Sequence, residues 1–188
     1  MIELFHLAET LQALCRRQHW RFCFIGGIAV QRWGEPRVTK DVDLTLVVGF
    51  GDEERYAEKL LQQFSPRIAN AKDFAAANRV LLLQSPDGIG IDIALGGLPY
   101  EELVAARATP FEFLPGLSLL TCSAEDLVVL KTFADRDRDW SDVEGILLRQ
   151  AALDWNYIES HLRPLAEAKE SPQIVDRLSR LRQRKRQI

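Results

Sequence analysis

Two segments of the chain alternate aliphatic and polar residues in the way that β-strands do. The aliphatic residues of the alternation are Val42, Leu44, Leu46 and Val48 in the first segment and Ile89, Ile91, Ile93 and Leu95 in the second. Because successive side chains of a strand point to opposite faces, the other face carries Asp41 and Asp43 in the first segment and Asp92 in the second. The pattern predicts two strands, each with one face buried and one face accessible to a ligand.

Elsewhere, the pattern predicts helices mixed with strands up to about residue 120 and helices alone from residue 123 to the end. The predicted helices of the first part are 3–18, 27–33, 52–64 and 100–106, and the predicted strands are 21–25, 41–48, 79–84, 89–95, 111–114 and 117–120. A Pro86-Asp87-Gly88 turn joins two of these strands as a hairpin. We predict an α/β (α+β) fold, a mixed sheet backed by helices, with a core domain at 1–120 and a helical C-terminal subdomain at 121–188.

The acidic residues of the two strands are candidate metal ligands. Asp41 and Asp43 lie about 7 Å apart along one strand and repel each other unless a cation neutralises them. An isolated Asp-x-Asp is also common as a pair of solvated aspartates at a strand end. Asp92, flanked by Gly90 and Ala94, changes this picture, because three carboxylates converge if the two strands pair. Oxygen ligands alone favour Mg²⁺ or Mn²⁺ over zinc.

A glycine pair upstream of these acids is a candidate phosphate-binding element. Gly26 and Gly27 follow a short apolar strand and precede a short helix, whose free N–H groups would attract an anion. A tight turn is the alternative reading of the pair. Arg37 and Thr39 share the parity of the aspartates and would line the same cleft. Arg37 either forms a salt bridge with one of these aspartates or grips a phosphate.

A further helix begins near residue 123. Ser123 is a candidate N-cap and Asp126 occupies the third helical position, where its carboxylate would reach back to the helix start. Lys131 borders the apolar stripe of this helix. Its stem either covers apolar surface, or its ammonium pairs with Asp135 one turn later.

Together these motifs resemble a known superfamily. Gly26-Gly27, Asp41-Val42-Asp43 and Asp92 look like the nucleotidyltransferases related to DNA polymerase β. Independently, residues 124–143 resemble the helical motif of AbiEii-like bacterial nucleotidyltransferases. The two matches span roughly residues 22 to 150. The chain departs from the pattern at Gly27, where many members carry serine, so that backbone amides alone would hold the triphosphate.

The resemblance implies transfer of a nucleoside monophosphate from an NTP to an acceptor hydroxyl, with release of pyrophosphate. Asp41 and Asp43 would hold Mg²⁺ (or Mn²⁺), and Asp92 would bind a second metal or accept the hydroxyl proton. The residues implied in nucleotide binding are Gly26, Gly27, Arg37, Thr39, Lys131, Arg136, Asp139 and Asp142.

Within that set, the acidic residues of the helical motif have several readings. Asp139 and Asp142 would orient Lys131, Arg136 or the nucleotide. By composition alone the mixed charges are typical of a solvated helix end, and Asp142 would equally serve as a helix cap.

The resemblance also suggests partners. A toxin of a toxin–antitoxin system would have a cognate antitoxin protein, and the acceptor hydroxyl would belong to tRNA or other RNA, to a protein or to a small molecule. A catalytically silent protein that binds a nucleotide or a partner is the alternative function. The intact set of three acids argues against that alternative.

Composition limits the other classes of protein and the other kinds of site that the sequence allows. A chain of 188 residues with 47% hydrophobic content can bury one sizeable core, and its net charge of −3 gives no global attraction for nucleic acid. The basic stretch 177–186 either is solvated or contacts RNA.

Three cysteines without a C-x-x-C motif favour reduced thiols in the cytoplasm, and no apolar run is long enough for a membrane span. The three histidines are too scattered for a zinc site or a hydrolase triad.

Overall fold

The computed structural model describes residues 1–185, with side chains through residue 184. Its helices are α1 (Ile2–Arg17), α2 (Gly26–Trp33), α3 (Glu53–Leu61), α4 (Ala71–Asn78), α5 (Pro99–Ala106), α6 (Ala124–Ala134), α7 (Asp137–Arg149), α8 (Trp155–Ala168) and α9 (Gln173–Lys185). Its strands are β1 (Phe22–Phe24), β2 (Asp41–Val47), β3 (Ser65–Pro66), β4 (Val80–Gln84), β5 (Gly90–Gly96), β6 (Thr109–Leu114) and β7 (Leu117–Thr121).

The strands form one mixed sheet, which confirms the predicted fold class. Across the described residues the strand order is β3-β4-β5-β2-β1-β7-β6. The pairs β2–β5 and β1–β7 are parallel, and the remaining neighbours are antiparallel. The predicted hairpin is confirmed, since β4 and β5 are antiparallel neighbours and the turn between them ends at Gly88, whose φ of 80° suits glycine.

One face of the sheet forms the hydrophobic core. The aliphatic residues of the two alternating strands are at most 6% exposed, apart from the partly buried Ile89, and they pack with residues of α1, α3 and α4. In α1 the core residues Leu4, Ala8, Leu11 and Cys15 follow helical spacing. Burial of each large aliphatic side chain contributes about 1.5–3 kcal/mol. The opposite face therefore does not have to supply the main core.

The chain divides into two compact units. The first comprises residues Met1–Ile28 and Val38–Cys122, and the second comprises Ala29–Arg37 and Ser123 onward. The first unit contains the whole sheet. In the second unit, α6 packs with α7 and α8, and α9 packs with α8.

The start of α6 confirms the predicted N-cap. The Ser123 hydroxyl oxygen accepts the Asp126 backbone N–H at 3.1 Å, and the same hydroxyl donates to the Asp126 carboxylate at 2.7 Å. Tyr157 of α8 donates its hydroxyl hydrogen to the other Asp126 oxygen at 2.6 Å. This fully buried carboxylate thus links the first turn of α6 to α8.

The segment between α3 and β4 differs from the sequence prediction. No element was predicted there, whereas the structure contains β3 and α4. β3 is two residues long and includes Pro66, so it has no alternation to detect, and α4 buries only small side chains, Ala71 and Ala75. Among the described helices, none is both long and apolar enough to cross a bilayer.

Candidate active site

Three acidic residues of β2 and β5 lie side by side on the face opposite the core. The parallel register places Asp43 directly beside Asp92, and Asp41 beside Gly90. Alternation confirms the predicted faces, because Val42 is fully buried whereas the Asp41 side chain is 50% exposed and that of Asp92 is 34% exposed. We refer to Asp41, Asp43 and Asp92 as the strand carboxylates.

The glycine pair begins α2 directly against one of these acids. Gly26 has a φ of 53°, and a Cβ built on it would lie 2.1 Å from Asp43 Oδ2. The Gly27 N–H donates to the same oxygen at 3.1 Å. A Cβ on Gly27 would lie 2.2 Å from the Thr39 hydroxyl oxygen and 2.6 Å from Thr39 Cβ. A serine at position 27, as in many of the resembling proteins, would therefore require Thr39 to move.

An arginine that sequence analysis missed contacts two of the strand carboxylates. Arg67 Nη2 lies 2.6 Å from Asp92 Oδ1, and Arg67 Nη1 lies 3.9 Å from Asp41 Oδ1. Burial raises the pKa of Asp92, the Arg67 guanidinium opposes that effect, and the nearby Asp41 adds to it, with the net result that the pKa is above its usual range. No local sequence signal identifies Arg67, because its position depends on β3.

A second set of charges lies in the helical unit, and we call it the helix ion-pair cluster. It consists of Arg37, Lys131, Arg136, Asp139 and Asp142. Lys131 Nζ donates to Asp139 at 2.7 Å and lies 2.9 Å from Asp142. Arg136 Nε donates to Asp139 at 2.6 Å, and Arg37 donates to both oxygens of Asp142 at 2.5 and 2.7 Å. Two carboxylates are thus held by three cations.

The centre of the helix ion-pair cluster is buried. The side chains of Lys131, Asp139 and Asp142 are 8%, 2% and 3% exposed. Burial would raise the pKa of both carboxyls, but the bonds from Arg136 and Lys131 to Asp139, and from Arg37 and Lys131 to Asp142, outweigh it. The pKa of each carboxyl is therefore lowered, and both are charged at neutral pH.

These contacts correct two expectations about the helical motif. The alternative pairing of Lys131 with Asp135 is wrong, because Asp135 ends α6 in a left-handed conformation and accepts the Trp140 indole N–H at 2.6 Å. Asp139 and Asp142 are not solvated, and Asp142 lies inside α7 rather than at its end. The turn after α6 folds α7 back, which brings the two carboxylates to Lys131.

The segment that carries Arg37 is held by α7. Arg149 Nη1 donates to the Gly34 carbonyl at 3.0 Å, and Gln150 Nε2 donates to the Trp33 carbonyl at 2.8 Å. Gly145 allows close approach, since a Cβ there would lie 3.1 Å from the Glu35 nitrogen. Arg37 is thereby placed for its bidentate contact with Asp142.

Part of the basic stretch 177–186 is engaged within the helical unit. The Arg177 guanidinium lies 4.2 Å from the Trp140 ring centroid, and Arg182 donates to Glu159 at 2.9 Å. The side chain of Lys185 and the whole of Arg186 lie outside the described residues. RNA contact by this stretch stays a prediction.

The strand carboxylates fit a hard divalent cation in donor type. All their donors are oxygens on adjoining register positions, as Mg²⁺ requires. Within the part of the chain that the structure describes, however, no three acidic, histidine or cysteine side chains converge closely enough to hold a metal ion. Two carboxylates bind protein groups instead, Asp43 the Gly27 N–H and Asp92 the Arg67 guanidinium.

Comparisons with known proteins identify the family of the chain and relatives of its fold. A solved structure described as an antigenic nucleotidyltransferase-like protein from Paracoccidioides brasiliensis is 17% identical to this chain. The match covers 95% of this chain and 93% of the chain in that structure, with a TM-score of 0.57. The antibiotic-resistance factor ANT(2'')-Ia is 18% identical, and the match covers 97% of this chain and 91% of the ANT(2'')-Ia chain, with a TM-score of 0.46. No curated protein sequence matches significantly. A family described as the nucleotidyl transferase AbiEii toxin of type IV toxin–antitoxin systems matches residues 11–187. The chain therefore belongs to the AbiEii family and is a nucleotidyltransferase.

Proposed function

We propose that this nucleotidyltransferase moves a nucleoside monophosphate from an NTP to an acceptor hydroxyl and releases pyrophosphate. The observation that carries the proposal is the parallel pairing of Asp43 with Asp92, with Asp41 two residues away on the same face. Nothing in the core requires three acids on adjoining positions. Their mutual repulsion favours the binding of a cation.

The strand carboxylates would hold Mg²⁺ or Mn²⁺. When bound there, the cation neutralises the charge that develops on the phosphates during transfer. Asp41 and Asp43 would supply the first ligands. Asp92 would either hold a second cation or accept the proton of the attacking hydroxyl, since its carboxylate lies beside Asp43 in the register.

The start of α2 would receive the triphosphate. Gly27 presents its backbone N–H beside Asp43, and the absence of side chains at Gly26 and Gly27 lets Asp43 and Thr39 lie directly against the backbone at this helix start. The Thr39 hydroxyl lies against Gly27 and would add a hydrogen bond where many resembling proteins have serine.

The residues of the helix ion-pair cluster are proposed nucleotide-binding residues because all but Arg37 match the helical motif of the family. Arg37 and Arg136 are the cations of this cluster with exposed surface, at 25% and 75% of their side chains. Lys131 neutralises Asp139 and Asp142, and its charge would also act on the polyphosphate. In this proposal the two aspartates orient the three cations.

The biological setting of the proposal follows the family. Membership of a family described as a type IV toxin supports a toxin role with a cognate antitoxin protein as partner. The acceptor would be a hydroxyl of tRNA or other RNA, of a protein, or of a small molecule. An NTP substrate and three buried cysteine thiols support a cytoplasmic site of action.

Label transfer tests the proposed reaction. The protein is incubated with each NTP labelled at the α-phosphate, with Mg²⁺ or with EDTA, and with separate pools of RNA, cell protein and aminoglycosides. We expect Mg²⁺-dependent transfer of the α-label to one pool and none of the γ-label. Asp41→Asn should abolish the transfer.

The matched control is Asp87→Asn, which removes the same charge from the exposed β4–β5 turn and should leave the transfer unchanged. Transfer of the γ-label would instead identify a kinase-type reaction. Nucleotide binding without transfer to any pool would favour a catalytically silent protein.

A further inference from the structure

Arg67 reaches the strand carboxylates from the edge of the sheet. Its backbone N–H donates to the Leu82 carbonyl at 3.0 Å, Leu82 pairs with Asp92, and Asp92 pairs with Asp43. Arg67 therefore stands in the same row as two of the acids, two strand spacings or about 10 Å from the Asp92 backbone. The extended arginine side chain crosses β4 to cover that distance.

Gly90 provides the space in which the guanidinium lies. A Cβ on Gly90 would lie 2.3 Å from Asp41 Oδ1 and 2.6 Å from Arg67 Nη1. Any larger residue at this register position would push the arginine and Asp41 away from each other. The guanidinium thus lies over the backbone of β5 in the gap between Asp41 and Asp92.

A divalent cation would compete with Arg67 for these carboxylates, because the two positive charges repel each other at this distance. Mg²⁺ needs carboxylate oxygens at about 2.1 Å in a nearly ideal octahedron, whereas a guanidinium holds them along its own N–H directions. The described acidic side chains do not converge on a metal-binding geometry while Arg67 contacts Asp92 and Asp41. The Arg67 contacts would oppose their convergence on a cation.

We infer that Arg67 is an internal counter-ion that occupies Asp41 and Asp92 until a divalent cation replaces it. The inference rests on the proposed metal site. Arg67 keeps the like-charged acids compatible in the metal-free protein and lowers the apparent affinity for the metal, because binding has to displace it. Arg67 is therefore a positioning residue that sets the cation concentration at which the carboxylates become available.

Binding of Mn²⁺ to the full-length protein without nucleotide tests the inference. Free Mn²⁺ is measured by its EPR signal for wild type, Arg67→Gln and Arg67→Lys. We expect Arg67→Gln to bind Mn²⁺ about tenfold more tightly, as is reasonable for the loss of one competing charge-assisted hydrogen bond. Arg67→Lys keeps a charge but loses the fork, so it should bind with intermediate affinity.

A matched control and a site control make the outcomes distinguishable. Arg21→Gln removes the same charge from the other end of β2, where Arg21 pairs with Glu102, and should leave Mn²⁺ affinity unchanged. Asp43→Asn should abolish Mn²⁺ binding. Unchanged or weaker Mn²⁺ affinity in both Arg67 variants, with Asp43→Asn binding-deficient, would overturn the inference alone. Mn²⁺ binding that survives Asp43→Asn, or that is absent from wild type, would overturn the proposed metal site and the inference with it.

Discussion

The strand carboxylates and the helix ion-pair cluster contain the same acidic residue type in opposite electrostatic states. Asp41 and Asp92 share one guanidinium and are 50% and 34% exposed. Asp139 and Asp142 are almost fully buried and are held by three cations. The difference separates two uses of aspartate. The strand carboxylates would use their excess of negative charge to bind a metal ion, whereas each carboxylate of the helix ion-pair cluster is already held by two cations.

The shifts in pKa follow the same division. Burial dominates at Asp92 and raises its pKa, because a single arginine compensates only part of the lost hydration. At Asp139 and Asp142 several cations reverse the effect of burial, and the pKa values are lowered. Incomplete compensation by cations thus distinguishes Asp92 from the two aspartates of the helix ion-pair cluster.

The largest stability effect is expected at the centre of the helix ion-pair cluster. Lys131→Met keeps the apolar stem but leaves two buried carboxylates with one arginine each, which should lower the free energy of unfolding by about 3 kcal/mol. Chemical denaturation measures this difference.

Lys72→Met is the matched control, because Lys72 pairs with Glu58 at the surface and its removal should leave the free energy of unfolding nearly unchanged. If Lys131→Met were as stable as wild type, the helix ion-pair cluster would not hold the second unit together.

A smaller effect on stability, of opposite sign for Asp139 and for Asp92, is expected when the pH is changed. Asp139 has a lowered pKa in the folded protein, so its stabilisation is present above the unfolded pKa of about 4 and is lost as the pH falls through the folded pKa. Asp139→Asn should therefore cost about 2 kcal/mol at pH 7 and progressively less below pH 4.

Asp92 has a raised pKa, so the native protein binds more protons than the unfolded chain between the two pKa values, and stability falls as the pH rises through that window. Asp92→Asn should be at least as stable as wild type at pH 7, with the difference vanishing near pH 4. Denaturation of both variants from pH 3 to 8 checks the two signs. If both substitutions changed the stability in the same direction, the electrostatic distinction between the strand carboxylates and the helix ion-pair cluster would be lost.

The faces of β2 and β5 were predictable because alternation is a local property of a strand. Asp41, Asp43 and Asp92 were assigned to the accessible face from parity alone, and the pairing of the two strands confirms their proximity. The glycine pair was likewise recognised, although the reason for Gly27 lies in Thr39, which is twelve residues away in the chain.

Arg67 was not predictable, because its role depends on the strand order. The two-residue β3 contains a proline and carries no periodic signal, and only the pairing of β3 with β4 aligns Arg67 with Asp92. Non-local register of this kind leaves no trace in a single sequence.

The burial of the helical motif was also underestimated. By composition, Arg136, Asp139 and Asp142 are typical of a solvated helix end, yet the packing of α7 on α6 buries both aspartates. The contacts of residues 149 and 150 with residues 33 and 34 explain why Ala29–Arg37 groups with the helical unit. Packing between helices, and not the local charge pattern, determines which side chains of this region are buried.

The most direct test of the account compares Asp43→Asn with Asp142→Asn, measuring both the rate of α-label transfer and the free energy of unfolding. Asparagine at position 43 keeps an acceptor for the Gly27 N–H but loses the charge that would bind the metal. We predict that Asp43→Asn lowers the transfer rate on the order of 10³-fold while its stability is unchanged or higher, because repulsion between the acids is relieved. Asp142→Asn should lose stability. A wild-type transfer rate in Asp43→Asn, or a loss of stability as large as that of Asp142→Asn, would contradict the account.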